Sequence, residues 1–334
     1  MTFEIYPWHT KQWQKLVDAR DKGRIPHALL LNGRPGLGMD DFAAGFAAVL
    51  SCNTGAAAPC GECRSCVLLA AGTHPDIIRV EPEEPGKQIK VDAIRELIEF
   101  TQLSSQYARY RIVIIAPAEA MNRSAANSLL KTLEEPPAGV IFMLLSHRPA
   151  SLPVTIRSRC QKITFAADDS GPTLSWLMGK TGYDEAAAAD LLNLSQGRPV
   201  YALQLKESEI TGYQNQVIKD LDELARRPAD IVSLAKKWQD YGTSDVFQWL
   251  LSFLGIMTRM KTLVPGPGSD DKSALIRDLQ QLANRLDLSQ LAHCYDLAFR
   301  NYQLAIGPYN LNQTGLLEEF IVYWQSLNTA NGRN

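Results

Sequence analysis

Three uninterrupted apolar runs punctuate the first half of the chain: Ala28-Leu29-Leu30-Leu31, Arg111-Ile112-Val113-Ile114-Ile115-Ala116 and Val140-Ile141-Phe142-Met143-Leu144-Leu145. Short continuous runs of this kind, the second of them rich in β-branched residues, are expected of strands covered on both faces by helices. After the first run, Phe42, Phe46, Val49 and Leu50 recur at helical spacing. Between the second and third, Ser124 reads as an N-cap, and Ala126, Leu129, Leu130 and Leu133 form one helical stripe. Glu134-Glu135-Pro136-Pro137 stops that helix, because two prolines cannot continue it. Strand, helix and strand within about thirty-five residues predict a parallel sheet with crossover helices.

Beyond about Phe165 the pattern turns alanine-rich and helical, with a helix predicted over Tyr183–Leu192. From about Glu207 nearly all periodicity is helical: Phe247, Leu250, Leu251 and Leu254 on one stripe, and Leu275, Leu279, Leu282 and Leu286 on another. Val264-Pro265-Gly266-Pro267-Gly268-Ser269 reads as the loop between them. The stripes are expected to serve mainly as that region's own core. The fold class is therefore α/β with a parallel sheet, followed by an all-helical second half.

Composition narrows the function. At 334 residues, two or three domains are expected, and 46% apolar residues suffice for ordinary cores. A net charge of -2 argues against nucleic-acid binding by bulk charge. The first residues lack a basic stretch followed by an apolar core, and no segment has the length of a membrane span, so a cytoplasmic protein is expected.

Gly33-Arg34-Pro35-Gly36-Leu37-Gly38-Met39-Asp40 follows the first predicted strand and precedes the first apolar-periodic helix, the context of a nucleotide-phosphate loop. Gly33, Gly36 and Gly38 keep the glycine spacing. Met39 and Asp40 stand where such a loop needs Lys for the phosphates and Ser or Thr for Mg²⁺. A second loss lies at the end of the Arg111–Ala116 strand, where Ala116-Pro117 replaces the acidic residues that hold metal and polarise water.

Four of the six cysteines, Cys52, Cys60, Cys63 and Cys66, form C-x7-C-x2-C-x2-C. Thiolates so spaced can converge on one tetrahedral Zn²⁺, and four of them leave no position open for water, which makes the site structural. An iron–sulfur cluster or free thiols are the alternatives. Cys160 and Cys294 read as small core residues. Arg157 and Arg159 flank Ser158 after Pro153-Val154-Thr155-Ile156. Either arginine is a solvated surface charge or a group inserted into a neighbour's nucleotide site, where a guanidinium forks onto γ-phosphate.

Leu129-Leu130-Lys131-Thr132-Leu133-Glu134-Glu135-Pro136-Pro137, Ser158-Arg159-Cys160, the four cysteines and Gly72-Thr73-His74-Pro75-Asp76 together resemble the bacterial DNA polymerase III clamp-loader subunits, a branch of the AAA+ ATPases. The resemblance covers about the first half of the chain. Within the family, the missing loop Lys and strand-end acids resemble the delta-prime type rather than the motor subunits gamma and tau. A third absence agrees: Val200 stands where the family carries a phosphate-sensing arginine, with Arg198 two positions earlier.

The resemblance implies a AAA+ domain over residues 1–165 with a zinc module at about 50–68, a helical lid over 166–206 and a helical collar over 207–334. It implies a non-catalytic, stationary subunit of a heteropentamer that opens the β sliding clamp and places it on primed DNA, with gamma or tau and delta as partners. ATP is not expected to bind productively, and Ser158-Arg159-Cys160 would present Arg159 as a finger to the neighbour's ATP. Lys87, Lys90, Arg95, Arg109 and Arg111 are candidates for phosphate contacts or, equally, solvated faces. Two competing readings are an active loader ATPase, for which Met39, Asp40, Ala116 and Pro117 are obstacles, and a stand-alone zinc-bearing nucleic-acid-binding protein.

Overall fold

A computed structural model of the chain describes residues 4–55, 58–84, 86–207, 210–227, 229–262, 274–307 and 311–331. The three apolar runs form β1 (Ala28–Asn32), β3 (Arg111–Ile115) and β4 (Val140–Ser146), joined by β2 (Ile77–Val80) and β5 (Gln161–Thr164). All pair in parallel, in the order β2-β3-β4-β1-β5. The expected strands are the sheet's centre and are wholly buried; the two unexpected ones are its edges. β5, Gln161-Lys162-Ile163-Thr164, buries Ile163 alone, which is too little apolar signal to read in advance.

Helices α1 (Thr10–Asp21), α2 (Met39–Ser51), α3 (Arg64–Ala70), α4 (Val91–Gln102), α5 (Arg123–Glu134) and α6 (Val154–Arg157) complete this AAA+-like unit of residues 1–168. Strand alternation sorts the core into two layers. Leu29, Leu31, Ile112, Ile114, Ile141 and Met143 face Trp13, Leu16, Phe42 and Phe46 of α1 and α2. Leu30, Val113, Ile115, Phe142 and Leu144 face Ile94, Leu97, Leu129 and Leu133 of α4 and α5. The N-cap of α5 is Asn122 rather than Ser124: the Ala125 N–H donates to Asn122 Oδ1 at 2.8 Å, which places Ser124 inside the first turn. Asn and Ser cap comparably well, so propensity alone did not separate the two positions.

The second unit, residues 169–334, contains α7 (Gly171–Thr181), α8 (Glu185–Leu194), α9 (Pro199–Glu207), α10 (Ile210–Leu224), α11 (Ile231–Asp240), α12 (Thr243–Thr262), α13 (Ala274–Arg285), α14 (Leu288–Ala305) and α15 (Gln313–Asn331). Helix α8 starts after Asp184, whose carboxylate accepts the Ala187 N–H; Tyr183 lies outside it. Leu177, Ala188, Leu191, Leu192 and Ala202 form one small apolar cluster. A larger one gathers Phe247, Leu250, Leu251, Leu254, Leu279, Leu282 and Leu286 with Trp238, Phe320 and Trp324. The Leu275 side chain and the 264–269 segment lie outside what is described. Asp220 is buried in this helical layer with its charge met, since Lys237 Nζ and Trp238 Nε1 both donate to it at 2.9 Å.

Candidate functional site

The glycine loop leaves β1 and closes on Gly38, which N-caps α2 in the left-handed region at φ +77°. No side chain fits at Gly38: a Cβ there would lie 2.7 Å from Tyr6 Cδ2. Tyr6 stacks on Trp8 with ring centroids 4.7 Å apart, and its hydroxyl donates to Asp41 Oδ2 at 2.9 Å. Trp8 Nε1 and His9 Nε2 both donate to the Leu37 carbonyl, at 2.9 and 2.7 Å. Burial outweighs that carbonyl and pulls His9 down to about 4. Aromatic groups from the N-terminal segment therefore sit directly on the loop.

Met39 is 2% exposed and packs into the apolar layer with Leu37 and Phe42. Asp40 points outward to Arg79 of β2, at 2.6 Å, and Arg79 also pairs with Glu81. Burial disfavours the Arg79 charge, but these two carboxylates raise its pKa overall. Asp40 and Asp41 in the first turn thus place negative charge at the positive end of α2, where a phosphate loop would hold its anion.

At the end of β3, Ala116 and Pro117 offer no acid. Glu119 is the next carboxylate, and its Oε1 accepts the N–H groups of His147 and Arg148 at 2.9 and 3.1 Å. His147 Nδ1 in turn donates to the Gly33 carbonyl at 3.0 Å. The nearest acid is thus used to fasten the segment after β4 to the glycine loop.

Arg159 lies at the opposite end of the strands. It follows α6 and precedes β5, so it sits at the amino end of the parallel strands, whereas the glycine loop sits at the carboxyl end. A four-residue strand separates those ends by about 13 Å. Cys160 is buried beside it, and burial pushes its thiol up to about 11. Ser158 donates to the Thr155 carbonyl at 3.1 Å. One Nη of Arg159 donates to that same carbonyl at 2.8 Å, and the other pairs with Glu134 at the last position of α5. Glu134 carried no sequence signal as a site residue beyond its place in the Leu129–Pro137 phrase. Arg157 is exposed at the end of α6. Arg198 is buried, donates to the Ser195 carbonyl at 2.6 Å and lies over the Tyr201 ring, while Val200 is the second residue of α9.

The four cysteines converge. Cys52 follows α2, Cys63 N-caps α3 and Cys66 lies in its first turn, bringing all four Sγ atoms within 4.8 Å of one another. Cys60 and Cys66 Sγ are 3.9 Å apart. Sulfurs about 2.3 Å from one Zn²⁺ at tetrahedral angles lie about 3.8 Å from each other, so the donor set fits that ion. The N–H groups of Cys60, Cys63 and Cys66 donate to the Sγ of Cys52, Cys60 and Cys63 at 3.4, 3.3 and 3.5 Å. Burial opposes ionisation of Cys52, but hydrogen bonds from Thr54 and Cys60 outweigh it and bring the thiol down to about 6. Burial and then the neighbouring sulfurs push Cys66 up to about 12, the repulsion a divalent cation would relieve.

The Gly72–Asp76 phrase is a structural knot. Asp76 is fully buried and accepts the N–H groups of Gln106, Tyr107 and Ala108 at 2.8, 2.7 and 2.9 Å. His74 accepts the Asp76 N–H on Nδ1 and donates from Nε2 to Ser65 Oγ of α3 at 2.6 Å, tying the cysteine module to the sheet. Arg111 is not available for phosphates: it is 3% exposed, donates to the Phe100 carbonyl at 3.0 Å and faces Asp76. An arginine between Tyr110 and Ile112 gave no hint of the acidic partner waiting inside. Lys87, Lys90 and Arg95 are exposed and pair with Glu84, Glu83 and Asp92, while Arg109 lies exposed over the Tyr110 ring.

Comparison with known proteins agrees with this architecture. A family profile described as "DNA polymerase III, delta subunit" matches residues 8–169, and one described as "DNA polymerase III, delta subunit, C terminal" matches residues 212–326. The chain is 36% identical over 329 residues to the DNA polymerase III subunit delta' of Pseudomonas aeruginosa, covering 97% of this chain and 98% of that one. It is 33% identical over 331 residues to the subunit delta' of Yersinia pestis, covering 96% and 95%. To subunit tau of Escherichia coli it is 37% identical over 155 residues, 46% of this chain and 24% of that one. End-to-end likeness to delta' and likeness to tau over part of the chain only lead to one conclusion: this chain belongs to the delta' subunit family of DNA polymerase III.

Proposed function

We propose that this subunit serves its clamp loader without hydrolysing ATP itself, acting as the stationary member that lends Arg159 to the nucleotide site of an adjacent gamma or tau subunit. The observation that carries the reading is the placement of Arg159 at the amino ends of the strands, opposite to the chain's own glycine loop at their carboxyl ends. From there the guanidinium reaches a phosphate only if another molecule brings one. Met39, Asp40, Ala116 and the rings of Tyr6 and Trp8 leave the loop without the ammonium, the hydroxyl and the acids of a working site. They speak equally against the active-ATPase reading.

In this reading residues 1–165 are the AAA+ domain, 166–206 a lid that has no nucleotide to report, and 207–334 the collar that joins the heteropentamer. The partners are gamma or tau, delta, the β sliding clamp through the complex, and primed DNA. Cys52, Cys60, Cys63 and Cys66 would hold one structural Zn²⁺, which supplies cross-linking rather than chemistry.

Reconstitution with the other loader subunits tests the proposal. Arg159→Ala should assemble normally and lower DNA- and clamp-stimulated ATP hydrolysis. Removal of such fingers elsewhere costs ~10³ or more, and here one of several interfaces is affected. Unchanged hydrolysis and clamp loading would rule the finger out.

A further inference from the structure

The Arg159 guanidinium is held by a carboxylate from a different element of the fold. We infer that Glu134 is the positioning residue for Arg159, setting the direction of its guanidinium before a neighbour's nucleotide arrives; this rests on the finger reading above. Around Arg159 the backbone is already fixed, because Ile156 and Cys160 are both buried against the sheet. What remains free is the side chain itself, which is long and rich in rotamers. Three contacts remove that freedom: one Nη donates to the Thr155 carbonyl at 2.8 Å and reaches Ser158 Oγ at 3.5 Å, and the other pairs with Glu134.

Glu134 is well placed for the task. It is the last residue of α5, whose Leu129, Thr132 and Leu133 are buried, and the prolines that follow prevent the helix from running on. The carboxylate is therefore mounted on a rigid element and joined by the partial negative charge of the helix C-terminus. The pair is partly exposed, with side chains 32% and 48% accessible. An ion pair in such a setting is weak, so it can orient the guanidinium without withholding it from the stronger charge of a γ-phosphate. The Nε edge has no partner among the described residues and remains available for a fork onto phosphate.

The test uses the reconstituted complex and stimulated ATP hydrolysis. Glu134→Ala should lower kcat about five-fold with the KM for ATP unchanged, because the guanidinium acts on transition-state charge. Glu134→Gln, nearly the same size and still an acceptor, should recover part of that loss. Glu135→Ala, which removes an exposed neighbouring carboxylate, should change nothing. Adding Glu134→Ala to Arg159→Ala should cost nothing further, since Glu134 acts only through Arg159. If Arg159→Ala lowers hydrolysis while Glu134→Ala leaves it unchanged or raises it, or if the two losses multiply, the positioning role is wrong. If Arg159→Ala itself has no effect, the finger reading has failed and this inference falls with it. Should Glu134→Ala not assemble, the Gln variant carries the same comparison, with a smaller loss in kcat expected and its absence decisive.

Discussion

Asp40, at the first turn of the helix that follows the glycine loop, is joined 2.6 Å away by the guanidinium of Arg79 from the edge strand β2. The negative charge that would repel a nucleotide phosphate is thus part of an internal contact. Beside it, Tyr6 lies over Gly38 and Met39 is buried, so the loop is packed as an ordinary piece of the fold.

Restoring the loop signature should therefore fail to restore function. Met39→Lys with Asp40→Thr buries an ammonium among Leu37 and Phe42 and removes one carboxylate from Arg79. A destabilisation of about 3 kcal/mol or more is expected, with no micromolar Mg-ATP binding. Thermal denaturation and calorimetric titration with Mg-ATP check both halves; micromolar binding would show that the aromatic groups are not an obstacle.

Gly38→Ala should be costly for a different reason. The backbone there has φ +77°, and the added methyl would meet the Tyr6 ring. A loss of about 2 kcal/mol is expected from strain and displacement together. Tyr6→Ala in the same chain should return part of the melting temperature, because it removes the clash but not the strain.

Stability should fall as acid is added, in a window His9 helps define. Its folded pKa is about 4, below the usual value near 6.5, because burial disfavours the cation. Between those values the unfolded chain binds the proton and the folded chain does not. Stability is therefore retained above pH ~6.5 and lost as pH falls towards ~4, by at most on the order of 3 kcal/mol from this residue. Melting curves of the parent and of His9→Gln across that range should converge at low pH if the assignment holds.

Metal analysis of the purified protein should find one zinc per chain and no visible iron absorbance. Cys63→Ser should lose the metal and lower the melting temperature, since Cys63 caps α3 as well as completing the sulfur set. Full zinc occupancy in that variant would contradict a four-sulfur site.

Arg111→Ala should cost about 3–5 kcal/mol, the range for breaking a buried pair, and should leave the salt dependence of DNA binding by the assembled loader unchanged. Guanidinium melts and binding titrations at several salt concentrations separate the two effects. A shallower salt slope would return Arg111 to the phosphate-contact candidates.

Much of this protein was determined locally. Uninterrupted apolar runs mark β1, β3 and β4 because a central strand buries both faces, and the altered loop and the C-x7-C-x2-C-x2-C spacing are read from neighbouring letters. The edge strands β2 and β5 were not legible, because strands so short and part-exposed leave no distinctive pattern. Nor were the contacts that give the site its character. Arg79 with Asp40 and Arg159 with Glu134 are separated by 39 and 25 positions, and nothing in the spacing of charges selects one partner among many. The parallel direction of the strands makes that selection: it sends the glycine loop to their carboxyl ends and Arg159 to their amino ends, and brings the end of α5 to the guanidinium.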